Sequence, residues 1–121
     1  MKTKWITHKG KKILLADYSN FGMDTASAKA EMAAAVGLAA QEPPSSVLTL
    51  TDVRGTKGSP EMVGLMQDTA KKIAPHARKR AVVGVTGVQR TFVDMINKFS
   101  GNKTFVLFDD LEKAKDWLAA D

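Results

Sequence analysis

Short apolar runs alternate with longer helical segments along this chain, and this alternation restricts the fold more than any other feature. Strands that alternate with helices form a mostly parallel sheet, because each helix carries the chain back so that the next strand runs in the same direction. The first two runs, KWIT and KKILLAD, are too close together for such a crossover. The intervening HKGK therefore predicts a hairpin, with Gly10 in the turn.

The remaining elements follow from local composition. The alanine-rich segment from Asp24 to Gln41 predicts a helix, and SVLTLT predicts a buried strand. Ser59 and Pro60 fit the N-cap and first residue of a second helix. RAVVGV predicts another core strand, Thr86 or Gly87 begins a third helix, and TFVLF is the last strand before a final helix capped by Asp109. The predicted fold is α/β: a mostly parallel open sheet of about five strands with an antiparallel N-terminal hairpin strand and four helices. We expect a single domain over residues 1–121.

The composition excludes several classes of function. The chain has no cysteine, which rules out disulfides, thiolate catalysis and cysteine-based zinc sites. Its two histidines lack a nearby nucleophile in sequence, so we expect a protein that is not an enzyme and holds neither cofactor nor metal. The net charge of +5 permits nucleic-acid binding, but the basic residues lack interleaved aromatic residues, and nucleic acid is not a predicted partner. The first residues have no apolar signal core, which predicts a cytoplasmic location.

A glycine-containing loop follows the predicted strand SVLTLT and is a candidate anion-binding or regulatory loop. It contains Arg54, Gly55, Lys57, Gly58 and Ser59. A phosphate on the serine would meet the free N–H groups and positive end of the next helix. The loop is not a Walker A motif, because that motif needs Gly-Lys-Ser/Thr in this order. Helix capping alone accounts for a serine at this position, and we favour that interpretation.

Polar residues follow the predicted strands at their carboxyl ends, the edge at which open α/β sheets bind ligands. They are Asp17, Asp52, Thr86 and Asp109. Two or three such carboxylates are able to hold a magnesium ion weakly. Each is also suited to cap the helix that follows it, and we favour capping.

The opposite edge of the predicted sheet collects basic residues: Lys11, Lys12, Lys72, Arg78, Lys79 and Arg80. Cations at helix carboxyl ends interact favourably with the helix dipole, which is one explanation of this basic edge. The other is a docking surface for an anionic membrane or an acidic protein partner.

Adaptable apolar residues and small residues suggest a pocket for an apolar ligand, but an ordinary core filled with flexible side chains also explains them, and the residues alone favour that interpretation. The candidate pocket residues are Met23, Ala30, Ala33, Met62, Met66, Phe92, Met95 and Phe99. The pocket hypothesis predicts that a larger side chain at Ala30 or Ala33 would block ligand uptake.

Several segments together resemble the small bacterial SpoIIAA-like proteins, which are grouped with the STAS domains and the CRAL-TRIO lipid carriers. They are Trp5, HKG, Asp17, VLTLTDVRG, AVVGVTGVQR, KFSGNKTFVLFD and EKAKDWL. The resemblance implies an open sheet wound with helices as a βα superhelix. It also implies a domain that either carries apolar molecules or binds protein partners under phosphoserine control.

Two functions are therefore predicted. The first is a non-enzymatic binding module for a small apolar or amphipathic, lipid-like molecule. The alternative is a STAS-type regulatory protein-interaction domain switched at the Ser59 loop. In STAS antagonists the regulated serine begins the helix after the central strand, and Ser59 lies at that place. Here, however, Gly58 precedes the serine and Pro60 follows it, which departs from the pattern of those proteins. A homo-oligomer formed through the free sheet edge or an apolar helix face is a third expectation.

Overall fold

The computed structural model describes residues 1–85 and 105–120, which form one sheet with helices on both faces. The strands are β1 (Lys4–His8), β2 (Lys11–Asp17), β3 (Val47–Asp52), β4 (Ala77–Val83) and β5 (Phe105–Phe108). The helices within the described residues are α1 (Thr25–Ala39), α2 (Pro60–Ile73) and α3 (Leu111–Ala119), and a short 3₁₀ turn covers Ala74–His76. None of these helices is long and apolar enough to cross a bilayer.

The strands lie in the order β1-β2-β3-β4-β5. β1 and β2 are antiparallel, and each later strand is parallel to the one before it. Lys9 and Gly10 join β1 to β2 with φ values of 50° and 78°, the pair of positive φ angles that a tight two-residue hairpin requires. The predicted mixed sheet and its N-terminal hairpin are confirmed, while the helix predicted to begin at Thr86 or Gly87 lies outside the described residues.

Helix capping agrees with the sequence at α2 and differs from it at α3. Ser59 caps α2, as predicted. The predicted cap of α3, Asp109, is wrong, because Asp110 caps the helix and accepts a hydrogen bond from the backbone N–H of Lys113 at 2.8 Å. Asp110 has the extended backbone that an N-cap residue requires, and Asp109 remains exposed on the connection from β5.

The two faces of the sheet carry different helices. Leu14 of β2 packs in the core beneath α1 and α2, whereas its neighbour Ile13 packs in a second core with Leu118 of α3. Successive residues of a strand point to opposite faces, which produces this division. Right-handed crossovers between neighbouring strands place α1 and α2 on the same face. The pocket described next lies on that face, between the sheet and α2.

Candidate functional site

A pocket of about 80 Å³ lies between the sheet and α2. One row of residues on its floor runs across four strands: Leu14, Thr49, Arg80 and Phe105. They are neighbours in the sheet, since Leu14 pairs with Thr49, Thr49 with Arg80, and Arg80 with Phe105. Two polar side chains therefore stand side by side between an aliphatic and an aromatic side chain.

The rest of the wall is largely apolar. Val63, Met66, Ala70 and Ile73 of α2 line the roof at the helical spacing of three or four residues, which places them on one face. Of the residues predicted for a pocket, Met66 lines it. Met62 is fully buried in the core but does not line the cavity.

The mouth of the pocket is formed by the loop after β3. Gly58, which is half-buried, and Lys57, which is exposed, both line the cavity, so the pocket reaches the surface there. Tyr18 lies at the same end of the sheet and is buried in the wall. Burial raises the pKa of the Tyr18 phenol, which therefore stays neutral at physiological pH.

Arg80 is a buried cation on the floor of the pocket. Its residue is 2% exposed, its terminal nitrogen donates a hydrogen bond to the carbonyl oxygen of Ala70 at 3.0 Å, and its guanidinium lies 4.1 Å from the centre of the Phe105 ring. Burial lowers the pKa of Arg80 to about 10, so the side chain still carries its charge at neutral pH. The sequence-based prediction that Arg80 belongs to an exposed basic edge is therefore wrong.

Strand geometry explains that error. Arg80 points towards α2, whereas the preceding residue, Lys79, points to the other face, where its ammonium donates hydrogen bonds to the carbonyl oxygens of Trp117 in α3 and of Ala120 just after it. Consecutive basic residues in a strand cannot share a surface, because alternate residues face opposite sides of the sheet.

Thr49 supplies the second polar group of the floor. The residue is 3% exposed, and its hydroxyl has no hydrogen-bond partner within the described part of the chain. A buried hydroxyl without a partner costs about 1–3 kcal/mol. Such groups are rare in native proteins and call for an explanation, and a ligand able to accept a hydrogen bond is one.

The candidate anion loop is engaged in other contacts. Arg54 donates two hydrogen bonds to the carboxylate of Asp52, at 3.0 and 2.8 Å, and its backbone N–H donates a third at 3.1 Å. These hydrogen bonds raise the pKa of Arg54. The backbone N–H of Lys57 donates to the carbonyl oxygen of Gly22 at 2.8 Å. The side chain of Arg54 and the backbone amide of Lys57 are thus used within the protein.

Gly55 in the same loop is needed for a close approach between segments. Its φ is 73°, and a Cβ there would lie 2.6 Å from the side-chain oxygen of Asn20. The backbone N–H of Asn20 donates to Arg54 at 2.7 Å, and that of Gly22 donates to Gly55 at 2.9 Å. The loop after β3 therefore continues the pairing of β2 and β3 beyond the ends of the strands.

Two of the three acids predicted at the carboxyl edge of the sheet, Asp17 and Asp52, have local partners and do not cap the helices that follow them, whose N-caps are Asp24 and Ser59. Asp17 accepts hydrogen bonds from the backbone and hydroxyl of Ser19 and lies 3.4 Å from the ammonium of Lys2. Burial alone would raise the pKa of Asp17, but the Ser19 hydrogen bonds and the Lys2 charge outweigh it and hold the pKa below its usual value. Asp52 pairs with Arg54, and Thr86 lies outside the described residues. Over residues 1–85 and 105–120, no cluster of three or more acidic or histidine side chains could hold a metal ion.

Several of the remaining basic residues form ion pairs rather than an open patch. Lys12 lies 3.2 Å from Glu42, and Lys72 lies 3.0 Å from Asp68. Arg78 is exposed, and Lys11 is partly exposed. Two residues of the predicted basic edge do not contribute to an exposed surface there: Arg80 is buried, and the ammonium of Lys79 contacts the carboxyl end of α3.

Besides Met62, three further residues predicted to line the pocket do not. Met23 is 66% exposed, and Ala30 and Ala33 lie on the outer side of α1. The buried residues of α1 are Ala28, Glu31, Met32, Ala35 and Ala39. Alanine occurs on both sides of this helix, so composition could not distinguish the inner from the outer side. The predicted pocket residues Phe92, Met95 and Phe99 lie outside the described residues.

The most informative residues of the pocket, Thr49 and Arg80, were not identified as its lining from the sequence. A signal for both exists: β3 and β4 are strands, and residues two apart in a strand share a face. Arg80 therefore shares its face with Val82, as Thr49 does with Thr51, and all four line the pocket.

No family model, curated protein or solved structure matches this chain.

Proposed function

We propose that this protein is a non-enzymatic binding module that holds a small apolar or amphipathic molecule between the sheet and α2. The observation that carries the proposal is the pocket itself, with apolar walls and two adjacent buried polar side chains on its floor. Binding sites for small molecules have this composition, since apolar surface supplies affinity and a few polar groups fix the orientation.

The size of the pocket limits the ligand. A volume of about 80 Å³ is several times the 10–15 Å³ that one water molecule needs, and about half of the ~150 Å³ of an engineered cavity that binds benzene. This volume favours a short-chain amphiphile, or the end of a longer one, over a whole lipid chain. The proposal includes membership of the SpoIIAA-like, STAS-related proteins, whose relatives include carriers of apolar molecules.

Mass spectrometry under native conditions tests the proposal directly. The protein is purified without detergent, its mass is recorded, and the sample is then extracted with organic solvent. A bound mass that solvent releases is expected for the unaltered protein. Ala70→Leu, which places a larger side chain in the roof of the pocket, should abolish the bound mass. Ala33→Leu makes the same exchange on the exposed side of α1 and should retain it.

Both variants should fold, which circular dichroism will check. A bare chain mass for the unaltered protein, together with no uptake of added short-chain alcohols or acids, would exclude the proposed function. Equal ligand retention by Ala70→Leu and Ala33→Leu would place the ligand elsewhere.

The alternative, a regulatory domain switched at Ser59, has less support. The Ser59 hydroxyl already accepts a hydrogen bond from the backbone N–H of Met62 at 3.2 Å, and Arg54 pairs with Asp52. A phosphate on Ser59 would have to displace the first contact and compete for the second. Docking through the basic edge, a homo-oligomer and a cytoplasmic location stay predictions from the sequence.

A further inference from the structure

We propose that the pocket selects anionic amphiphiles, specifically a short-chain monocarboxylate whose carboxylate lies against Arg80 and Thr49. This inference rests on the proposed function and adds to it the charge of the ligand, its functional group and its orientation. The two side chains are register partners on the adjacent parallel strands β3 and β4, and both line the pocket.

The electrostatics of the floor favour an anion. Arg80 is buried among apolar side chains, and two of its contacts, the Ala70 carbonyl and the Phe105 ring, are with neutral groups. A charge in such surroundings has lost much of its hydration, and an opposite charge beside it recovers part of that loss. A ligand carboxylate beside the guanidinium would gain this attraction in addition to the contacts that Arg80 already makes, and a neutral alcohol of the same length would not.

The hydrogen-bonding groups favour a carboxylate. An ionised carboxylate accepts and never donates, and it has two oxygens able to accept from two neighbouring donors. The guanidinium of Arg80 and the hydroxyl of Thr49 are such donors on one face of the sheet. Hydrogen bonds from a charged donor to a carboxylate are shorter and about twice as strong as those between neutral groups.

The apolar part of the ligand has a defined place. Beyond the row that holds Thr49 and Arg80, the next row of the floor contains Ala16, Thr51 and Val82, and the wall continues through Val53 towards the mouth at Lys57. A ligand whose carboxylate lies at Arg80 would therefore lay its alkyl chain along apolar side chains towards the opening. A volume of about 80 Å³ accommodates the carboxylate and the first carbons, and the rest of a longer chain would extend through the mouth.

Calorimetric titration with hexanoate and hexan-1-ol tests this inference, because the two probes have the same chain length and differ in charge. The protein should bind hexanoate about tenfold to a hundredfold more tightly than hexan-1-ol. Thr49→Val should weaken hexanoate binding about tenfold and leave hexan-1-ol binding nearly unchanged.

Substitutions in β4 separate the role of the pocket cation from that of general positive charge. Arg80→Met should remove the preference for hexanoate, whereas Arg80→Lys, which keeps the charge, should retain part of it. Arg78→Met removes an exposed arginine from the same strand and should leave the preference intact. Thermal unfolding of each variant establishes that it is folded before titration.

The outcomes distinguish the inference from the function on which it rests. Preference for hexanoate in the unaltered protein and in Arg78→Met, with its loss in Arg80→Met, supports the inference. Equal binding of both probes would overturn it and leave the proposed function standing. Binding of neither probe at millimolar concentration would overturn both. Should Arg80→Met fail to fold, an unchanged hexanoate affinity in Thr49→Val would itself overturn the inference.

Discussion

Replacing Thr49 by valine should stabilise the ligand-free protein, even though the residue is buried in the middle of the sheet. The exchange keeps the shape and the β-branched character that suits a strand, and it removes a hydroxyl that is without a partner in the described part of the chain. An unpaired buried hydroxyl costs about 1–3 kcal/mol. Water in the adjoining pocket would offset part of that cost, so we expect a gain of about 1–2 kcal/mol.

The expected shift in melting temperature follows from the size of the chain. Unfolding entropies near 2.1 cal/mol/K per residue imply, for 121 residues, roughly 4 °C per kcal/mol. Thr49→Val should therefore raise the melting temperature by about 4–8 °C. Differential scanning calorimetry and urea denaturation, on protein freed of bound ligand by solvent extraction and refolding, would measure the change.

Thr56→Val is the matched control and should have the opposite effect. Thr56 is 4% exposed, close to the 3% of Thr49, but its hydroxyl donates to the carbonyl oxygen of Tyr18 and accepts from the backbone N–H of Phe21 at 3.2 Å. Valine would leave both groups without that partner and should cost about 1–3 kcal/mol. If Thr49→Val destabilised the protein as much as Thr56→Val does, the Thr49 hydroxyl would be satisfied, and its assignment to a ligand would be refuted.

Three further substitutions test local features of the fold. Gly64 lies in the exposed middle of α2, with open space around an added Cβ. Gly64→Ala should therefore raise the free energy of unfolding by about 0.5–1 kcal/mol. Gly55→Ala should lower it, because the new Cβ would lie 2.6 Å from the Asn20 oxygen at a φ of 73°. Urea denaturation of both variants gives the comparison, and equal effects would contradict it. In the Glu31→Gln variant, the free energy of unfolding should fall less as the pH is lowered than it does in the unaltered protein. Burial alone would raise the pKa of Glu31, but hydrogen bonds from the backbone N–H groups of Thr3 and Lys2 outweigh it and hold the pKa below its usual value. The stabilisation by ionised Glu31 is present above the unfolded pKa of about 4.3 and is lost as the pH falls through the lower folded value. The unfolding free energies of the variant and of the unaltered protein, measured between pH 7 and pH 3, should therefore differ most at pH 7.

The layout of the chain was predictable because it depends on local signals. Gly10 marks the hairpin, and Ser59 with Pro60 marks the start of α2, since these residues satisfy backbone requirements that do not depend on distant contacts. The cap of α3 was placed one residue early because Asp109 and Asp110 are chemically identical. Which of two adjacent acids caps a helix depends on where the preceding strand stops, and Phe108 ends that strand.

The site was less predictable because it depends on which way each side chain faces. Ala30 and Ala33 were expected inside because the helix is rich in small residues, but alanine fills both sides of α1 and carries no information about the inner side. Met32 is buried, and as a large apolar residue it marks the inner side of α1, which alanine does not. Arg80 was assigned to a basic edge because it was placed with Arg78 and Lys79 around the end of the second helix. The strand β4 already begins at Ala77, and a strand separates neighbours onto opposite faces.

The arrangement on the floor of the pocket makes stability and binding oppose one another. Thr49 places in the wall a hydroxyl that has no partner among residues 1–85 and 105–120, and Arg80 places a buried charge there, whereas apolar residues would line the wall at lower cost. A ligand that pairs with both would bind the folded chain alone and raise the melting temperature in proportion to the logarithm of its concentration. Thr49→Val should thus start from a higher melting temperature than the unaltered protein but gain less from hexanoate, so the two curves of melting temperature against ligand concentration converge. Parallel curves would mean that the hydroxyl takes no part in binding and that its cost has another origin.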